Sequence, residues 1–572
     1  MAITSRFVTY VSGFYLKAPI YACLASHSHS PSASFSNMTV SLAALLFVTA
    51  VAVPIITALL LLSSAKKGRP GPADGCRRLP PSPPGLPLIG HLHLLGRLPH
   101  RALRSLAASH GPVMLLRLGR VPTVVASSSA AAEEAMKTRD LAFSGRPGLL
   151  MAQSLLYGGR DVGFAPYGEY WRQARRVCAL HLLGPRRVAS FRRVREREVA
   201  ALVARVRRDA AADGEANLSD ALICYSNAII SRAAFGDGDY RLDGDQGGEK
   251  LRQVVADFQE LVLASPMREI SPWLGWVDTL TGLESKTRCT FEALDGLLER
   301  VIADHRNRRS SGRHAVLGDG AEVADDHRDF VDVLLDVNEM DEEAGFQLET
   351  DNIKAIIMDV FAAGTDTSST VLGWAMAELI NHPHEMRKLQ AEVRAAAGGA
   401  ITEDHLDGMP YLKAVISETM RLHAPAALLI PRETTEDTEL LGYHIPARTR
   451  VVINAWAIGR DPAAWERAEE FVPERWFAAG DALLDYSKVG QDFRSVPFGA
   501  GRRGCPGAGF AAPTMELALA NMLYHFDWAL PHGTGAGGDV LGTPALVDVS
   551  EVFGLSVRLK EPLILVAKPW SG

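Results

Sequence analysis

The distribution of apolar and polar positions divides the chain into unlike parts. Val40 to Leu62 is apolar apart from Ser41, Thr49 and Thr57, and it carries no charge. Its length suits one bilayer crossing, within which Pro54 is tolerable. Val113 to Val125 alternates apolar and polar residues and predicts a short hairpin region around Pro122. From Leu180 onward long helical patterns dominate. Arg308 to Asp329 interrupts them; it is mostly polar, contains Gly312, Gly318 and Gly320, and predicts a loop. Thr350 to Asn381 is the longest uninterrupted helical pattern. Thr350 and Asp351 offer its N-cap, and Asn381-His382-Pro383 stops it. Such a helix runs roughly 45 Å, enough to cross a whole domain. Lys354, Asp359, Asp366 and Glu378 make it an expensive membrane span. A last apolar helical run covers Ala508 to Leu523.

Charge changes the reading of the front end. Lys66, Lys67, Arg69, Arg77 and Arg78 follow the apolar run, which places the downstream side in the cytosol. Residues 38–64 are therefore expected to form a transmembrane anchor rather than a buried helix. Residues 1–37 form an N-terminal extension rich in serine and free of Asp and Glu. That composition fits a plastid targeting segment, although Arg6 and Lys17 are its only strong bases; an upstream start, with Met38 opening the anchor, fits equally. Residues 65–90 are a basic and proline-rich hinge, in which Leu79 to Gly90 reads as a stiff polyproline-like connector. Residues 91–572 are left for one catalytic domain.

Composition narrows the partners. The chain has 572 residues, 47% apolar and 22% charged, with a formal net charge of -6. That balance gives no reason to expect nucleic acid. Cys23, Cys76, Cys178, Cys224, Cys289 and Cys505 are scattered without paired spacing, which argues against a disulfide framework or zinc ribbon. The sequons at Asn37 and Asn217 are expected to be unused.

The most informative chemistry lies in Pro497-Phe498-Gly499-Ala500-Gly501-Arg502-Arg503-Gly504-Cys505-Pro506-Gly507. Glycines let backbone N–H groups crowd around the sulfur, and such donors tune a metal-bound thiolate. Arg503 can meet an anionic group two residues away. Gly499, Gly501 and Gly504 also spell the dinucleotide fingerprint, but the preceding Gln491-Asp492-Phe493-Arg494-Ser495 is too polar for a central strand. Alone, Cys505 would read as a small buried hydrophobe. The order Phe498, Gly501, Arg503, Cys505, Gly507 resembles the haem-binding loop of the cytochrome P450 family, whose cysteine is the axial iron ligand. The resemblance runs from about residue 79 to the end. It implies a mainly α fold with a small β-rich lobe, preceded by one N-terminal transmembrane helix.

Other segments carry the same resemblance. Ala363-Gly364-Thr365-Asp366-Thr367-Ser368 lies in the middle of the long helix. Glycine there costs about 1 kcal/mol against alanine, which makes sense if something large lies against the backbone. Hydroxyls offered to backbone carbonyls can open such a helix and hold water. In the family this is the oxygen-activation groove, with Asp366 and Thr367 relaying protons. Trp171-Arg172-Gln173-Ala174-Arg175 and Pro431-Arg432 match haem-propionate contacts, implying cofactor roles for Trp171, Arg175, Arg432, Arg503 and Phe498. Glu418-Thr419-Met420-Arg421 places acid and base on one helical face; the resemblance joins Glu418, Arg421 and Arg475 into a buried charge network behind the cysteine loop. The His382-Pro383-His384 pair reads as a solvated turn. Phe361, Ala362, Ala427, Leu428, Leu429 and Phe553 are expected to line a substrate pocket, within the segments Ala426 to Ile430 and Val552 to Leu555.

Ala363 to Ser368 and Phe553-Gly554-Leu555 look like the plant A-type group, 71 clan. The resemblance implies a haem b monooxygenase of the endoplasmic reticulum membrane with a cytosolic catalytic domain. It would take O₂, a small hydrophobic plant metabolite or hormone, and electrons from NADPH through a cytochrome P450 reductase. The basic run Arg172 to Arg197 could dock that acidic flavoprotein. A haem-thiolate isomerase or dehydratase, needing no reductase, is the alternative. A nicotinamide dehydrogenase built on the glycine loop is a further one.

Overall fold

The computed structural model describes residues 78–236, 248–310, 328–340, 348–396, 398–478, 490–531 and 546–571. Val40 to Leu62 lies outside them. Among the described residues no helix is long and apolar enough to cross a membrane.

The alternating segment forms strands β1 (Val113–Leu118) and β2 (Val121–Ala126), paired antiparallel. The chain turns at Gly119-Arg120, and Pro122 lies inside β2 opposite Arg117. The lost N–H costs little there, because the parallel pairing of β2 begins only at Thr123. Two later strands, β3 (Arg432–Glu433) and β4 (Arg450–Ile453), complete a four-stranded sheet in the order β1-β2-β4-β3. The end of the hinge is seated on this sheet. The N–H of Leu115 donates to the Pro81 carbonyl at 2.8 Å, and the His91 ring lies 2.8 Å from that of Pro83.

Helices build the larger lobe. The first is α1 (Pro99–His110), beside the sheet. Then come α2 (Glu169–Val177), α3 (Arg192–Asp213), α4 (Leu218–Phe235) and α5 (Gly248–Leu261). They are followed by α6 (Leu283–Ser310), α7 (Phe330–Met340) and α8 (Thr350–Asn381). Because α6 runs to Ser310, the predicted loop begins later than Arg308. Most of α8 is buried, which is why it reads as nearly continuous apolar sequence rather than as a stripe. Its N-cap is Glu349, not Thr350 or Asp351: Glu349 accepts from the backbone of Asn352, and Asn352 Oδ1 accepts from the Glu349 N–H at 2.8 Å. The expected opening in α8 is absent. The hydroxyls of Thr365, Thr367 and Ser369 donate to carbonyls one turn back while the helix stays continuous.

Gly364 is explained by helix packing. A Cβ there would lie 2.8 Å from Ile230 Cγ1 of α4, so the bulk against this backbone is a neighbouring side chain. After α8 come α9 (Pro383–Ala396), α10 (Pro410–Leu422) and α11 (Ala508–His525). A terminal hairpin of β5 (Glu551–Val552) and β6 (Arg558–Leu559) closes against α8.

Candidate active site

Cys505 sits in the loop that feeds α11. Its N–H donates to the Phe498 carbonyl at 2.9 Å, and the Gly504 N–H donates to Gly501 at 2.9 Å. Gly501 has φ +66°, and a Cβ there would lie 2.1 Å from the Met136 carbonyl oxygen, so no side chain fits. The turn brings the N–H groups of Gly507 and Ala508 onto the sulfur. Burial pushes the Cys505 thiol up, while these donors and the Arg175 charge pull it down. The start of α11 adds the positive end of its dipole. Among the described residues no strand leads directly into this loop, unlike the strand before a dinucleotide fingerprint.

The sulfur opens into a cavity of about 320 Å³ enclosed largely by apolar side chains. Cys505 counts as exposed because its free surface faces this space. The same cavity is lined by α8, through Asp359, Val360, Ala362, Ala363, Gly364, Thr367, Ser368 and Val371. Ala363 is exposed in the middle of a mostly buried helix, and with Ala362 and Gly364 it gives this stretch of the lining small side chains.

Four arginines line the same cavity. Arg175 donates to the Gly504 carbonyl at 2.5 Å, and Arg432 to Ala500 at 2.8 Å. Arg503 donates to Ser144 and Ala165 and lies 4.1 Å over the Trp171 ring, whose N–H is used by the Val162 carbonyl. Arg146, which no sequence motif marked, donates to Gly163, Ile430 and Pro431. Burial lowers the basicity of all four, and repulsion from neighbouring arginines adds to it for two: Arg503 falls to about 9, through burial and then Arg432, and Arg146 falls well below its ordinary value. The nearby carboxylates are Asp140, 3.3 Å from Arg432, and Asp161, pushed up to about 6 by burial. Positive charge is left in want of an anion. An apolar cavity lined by a cysteine sulfur and four guanidinium groups fits haem, a dicarboxylate whose iron takes a thiolate.

The two residues expected to move protons are not equivalent. Thr367 lines the cavity, its hydroxyl donating to Ala363 at 2.9 Å. Asp366 does not line it. Its buried carboxyl, raised by burial, is turned to Ser556 and Arg558 of the terminal hairpin. Several pocket expectations are corrected too. Ala362 and Leu429 line the cavity, but Phe361 points into the core against Phe235, ring centroids 5.4 Å apart. Leu429, at φ +50°, lines the cavity together with Ala426 and Ile430 of the same segment. Leu428 packs with Leu103 and Met114, while Ala427 and Phe553 join Trp456 and Val557. From the terminal hairpin Leu555, not Phe553, reaches the cavity. Phe498 lines it from the cysteine loop.

Behind the loop, Glu418 and Arg421 are fully buried and form a bidentate pair at 2.8 and 2.7 Å. Arg475 donates to Glu418 at 2.9 Å, as do the Val472 N–H and the Trp476 ring. Arg421 also clamps the carbonyls of Gly459, Ala468 and Glu470. Trp465 lies under Arg421 and donates to the Arg494 carbonyl, just before the cysteine loop. The basic run Arg172 to Arg197 is partly consumed internally: Arg172 pairs with Glu169, Arg192 with Asp404 and Arg195 with Glu403.

Comparison with known proteins agrees with this geometry. The family model described as cytochrome P450 matches residues 80–538. Cytochrome P450 71A4 of Solanum melongena is 46% identical over 497 residues, covering 86% of this chain and 93% of that protein. Norfluorocurarine oxidase of Strychnos sp is 43% identical over 493 residues, covering 86% and 92%. A solved zebra fish cytochrome P450 with abiraterone has a TM-score of 0.65 at 24% identity, covering 83% of this chain and all of that one, a likeness of fold.

Proposed function

The chain belongs to the cytochrome P450 family, as a monooxygenase of the plant 71 type, and from that premise we propose that it inserts one oxygen atom of O₂ into a small hydrophobic plant metabolite. NADPH supplies the electrons through a cytochrome P450 reductase. The observation that carries this reading is the cavity itself, lined at once by the Cys505 sulfur, four arginines and the small residues Ala362, Ala363 and Gly364 of α8.

Haem b, when bound, supplies the redox and oxygen chemistry. Cys505 would hold its iron, and Arg146, Arg175, Arg432 and Arg503 its carboxylates. Trp171 braces Arg503 by stacking rather than by donating to the cofactor. Apolar walls exclude bulk water, so protons must arrive through side chains. Thr367 holds a water at the cavity wall; its hydroxyl hydrogen is engaged by Ala363, which leaves its lone pairs to accept. Asp366, its carboxyl raised by burial against the pull of Ser556 and Arg558, is the acid beside Thr367 from which a proton would be relayed. Residues 38–64 anchor the protein in the endoplasmic reticulum with the catalytic domain in the cytosol.

The test is the reduced carbon-monoxide spectrum. Thiolate ligation gives a strongly red-shifted Soret band, and Cys505→Ala is expected to lose that band and most haem. A variant with an unaltered thiolate spectrum refutes the role of Cys505. NADPH dependence of product formation then separates oxygen insertion from isomerisation.

A further inference from the structure

The end of α6 and the start of α7 bring an imidazole and two carboxylates together outside the cavity. His305, Asp329 and Asp332 are all buried, and one ligating atom from each lies within 4.8 Å of the other two. Two of them are held from behind. The Nδ1–H of His305 donates to the Val301 carbonyl at 2.7 Å, which leaves Nε2 as the outward nitrogen. Asp329 Oδ1 accepts from the Asp332 N–H at 2.9 Å, and its Oδ2 lies 2.7 Å from Nε2. Gly236, at φ +73°, caps α4 beside that oxygen; a Cβ there would lie 2.8 Å from Oδ2. A guanidinium nitrogen of Arg308 stands 2.7 Å from the same Nε2. One ring nitrogen cannot serve both neighbours. As a lone pair it accepts from Arg308 and faces a carboxylate oxygen; as an N–H it donates to Asp329 and faces a cation. A metal ion resolves the conflict, because imidazole and carboxylate both give it a lone pair and it takes the place of the guanidinium.

We infer that His305, Asp329 and Asp332 form a binding site for one divalent transition metal, zinc by preference, that ties α6 to α7. The donor set decides the ion. Imidazole with carboxylates suits Zn²⁺ and its first-row neighbours, whereas Mg²⁺ and Ca²⁺ take oxygen ligands. Three protein ligands leave a fourth position for water. The hydrogen bond from Nδ1 to a backbone carbonyl is the outer partner that a ligating histidine ordinarily has. Bonds of about 2.0–2.2 Å keep tetrahedral ligand atoms roughly 3.4 Å apart, so small side-chain rotations bring the three onto one ion. The charges agree with a divalent ion. Arg309 is directed to Asp336 at 2.6 Å, where Arg328 also lies at 2.8 Å, and it reaches Asp332 only at 3.7 Å. Asp329 and Asp332 are then the two negative charges that the ion neutralises. Arg308 is exposed and turns into solvent to admit it.

The experiment uses haem-loaded full-length protein without added histidines, stripped with chelator and titrated with Zn²⁺ by calorimetry. One saturable ion per chain is expected, with only nitrogen and oxygen in its first shell by zinc-edge X-ray absorption. His305→Ala and Asp332→Asn each remove a ligand. Each is expected to weaken binding by at least the roughly 10–100-fold that loss of an outer partner costs. Arg308→Ala removes the competing cation and is expected to tighten binding roughly tenfold. Because Arg308 is exposed, that variant still decides the matter if His305→Ala fails to fold. Three results overturn the inference: no saturable binding in the wild type below about 100 μM Zn²⁺, sulfur in the first shell, or an affinity that the ligand variants leave unchanged. An affinity unchanged or weakened in Arg308→Ala does so too, since His305 and Asp329 would then be an ordinary buried ion pair.

Discussion

Single residues set what this cavity can do, and Thr367 is the one whose effect is easiest to isolate. It lines the cavity that Cys505 also lines, while Asp366 next to it does not. Thr367→Ala is expected to keep haem, ligand binding and NADPH consumption. Product per NADPH falls and hydrogen peroxide rises, because the water that delivers the second proton loses its holder. NADPH, peroxide and product measured together check this; unchanged coupling would assign proton delivery to another group. The family resemblance named Thr367 and Asp366 as a pair, and adjacent positions on a helix lie about 100° of rotation apart. The same rotation explains why Phe361 misses the cavity that Ala362 lines. Arg146 was invisible in the sequence for a different reason. It has no neighbours in a motif and owes its place to long-range closure, donating to carbonyls at Gly163, Ile430 and Pro431.

Elements fix these residues by burying charge. Glu418 and Arg421 share one face of α10, a spacing plain in the sequence; the clamp onto Gly459, Ala468 and Glu470 was not, because those groups are backbone carbonyls on a distant segment. Glu418→Ala strands Arg421 without its counter-ion, at a cost of about 3–5 kcal/mol. Little haem-loaded protein is expected; wild-type yield and thermal midpoint would reduce the pair to an incidental contact. The terminal hairpin is pinned in a comparable way. Glu551 takes His100 at 3.0 Å and Arg101 at 2.6 Å. Burial alone would raise this carboxyl, but the hydrogen bonds and charges of His100 and Arg101 bring it from 4.5 to about 2. A depressed native pKa stabilises above the unfolded value, so this contribution is present above pH 4.5 and is lost as pH falls toward 2. Glu551→Gln is therefore expected to flatten the stability curve across that window in acid denaturation. An unchanged slope would show that the ion pair adds nothing.

At the scale of the whole molecule, one helix joins most of these parts. The sequence revealed α8 by its length and its apolar run, and revealed the cysteine loop by its glycines, since both signals are local. Cap identity, cavity lining and the side to which Asp366 turns depend on what packs around the helix, and local pattern does not carry that. The anchor is local again. Deleting residues 1–64 is expected to move most of the protein into the soluble fraction, whereas full-length protein released by carbonate would refute the span at 38–64. Returning to α8, its continuity from Thr350 to Asn381 means that Asp359, Ala363, Thr367 and Glu378 are set on one shaft with no joint between them. Angular position along a shaft is counted in residues. One residue inserted between Asp359 and Thr367 would turn everything on one side of it by about 100° relative to the other. The cavity-lining groups on either side would then no longer share a face, although not one of them had been replaced.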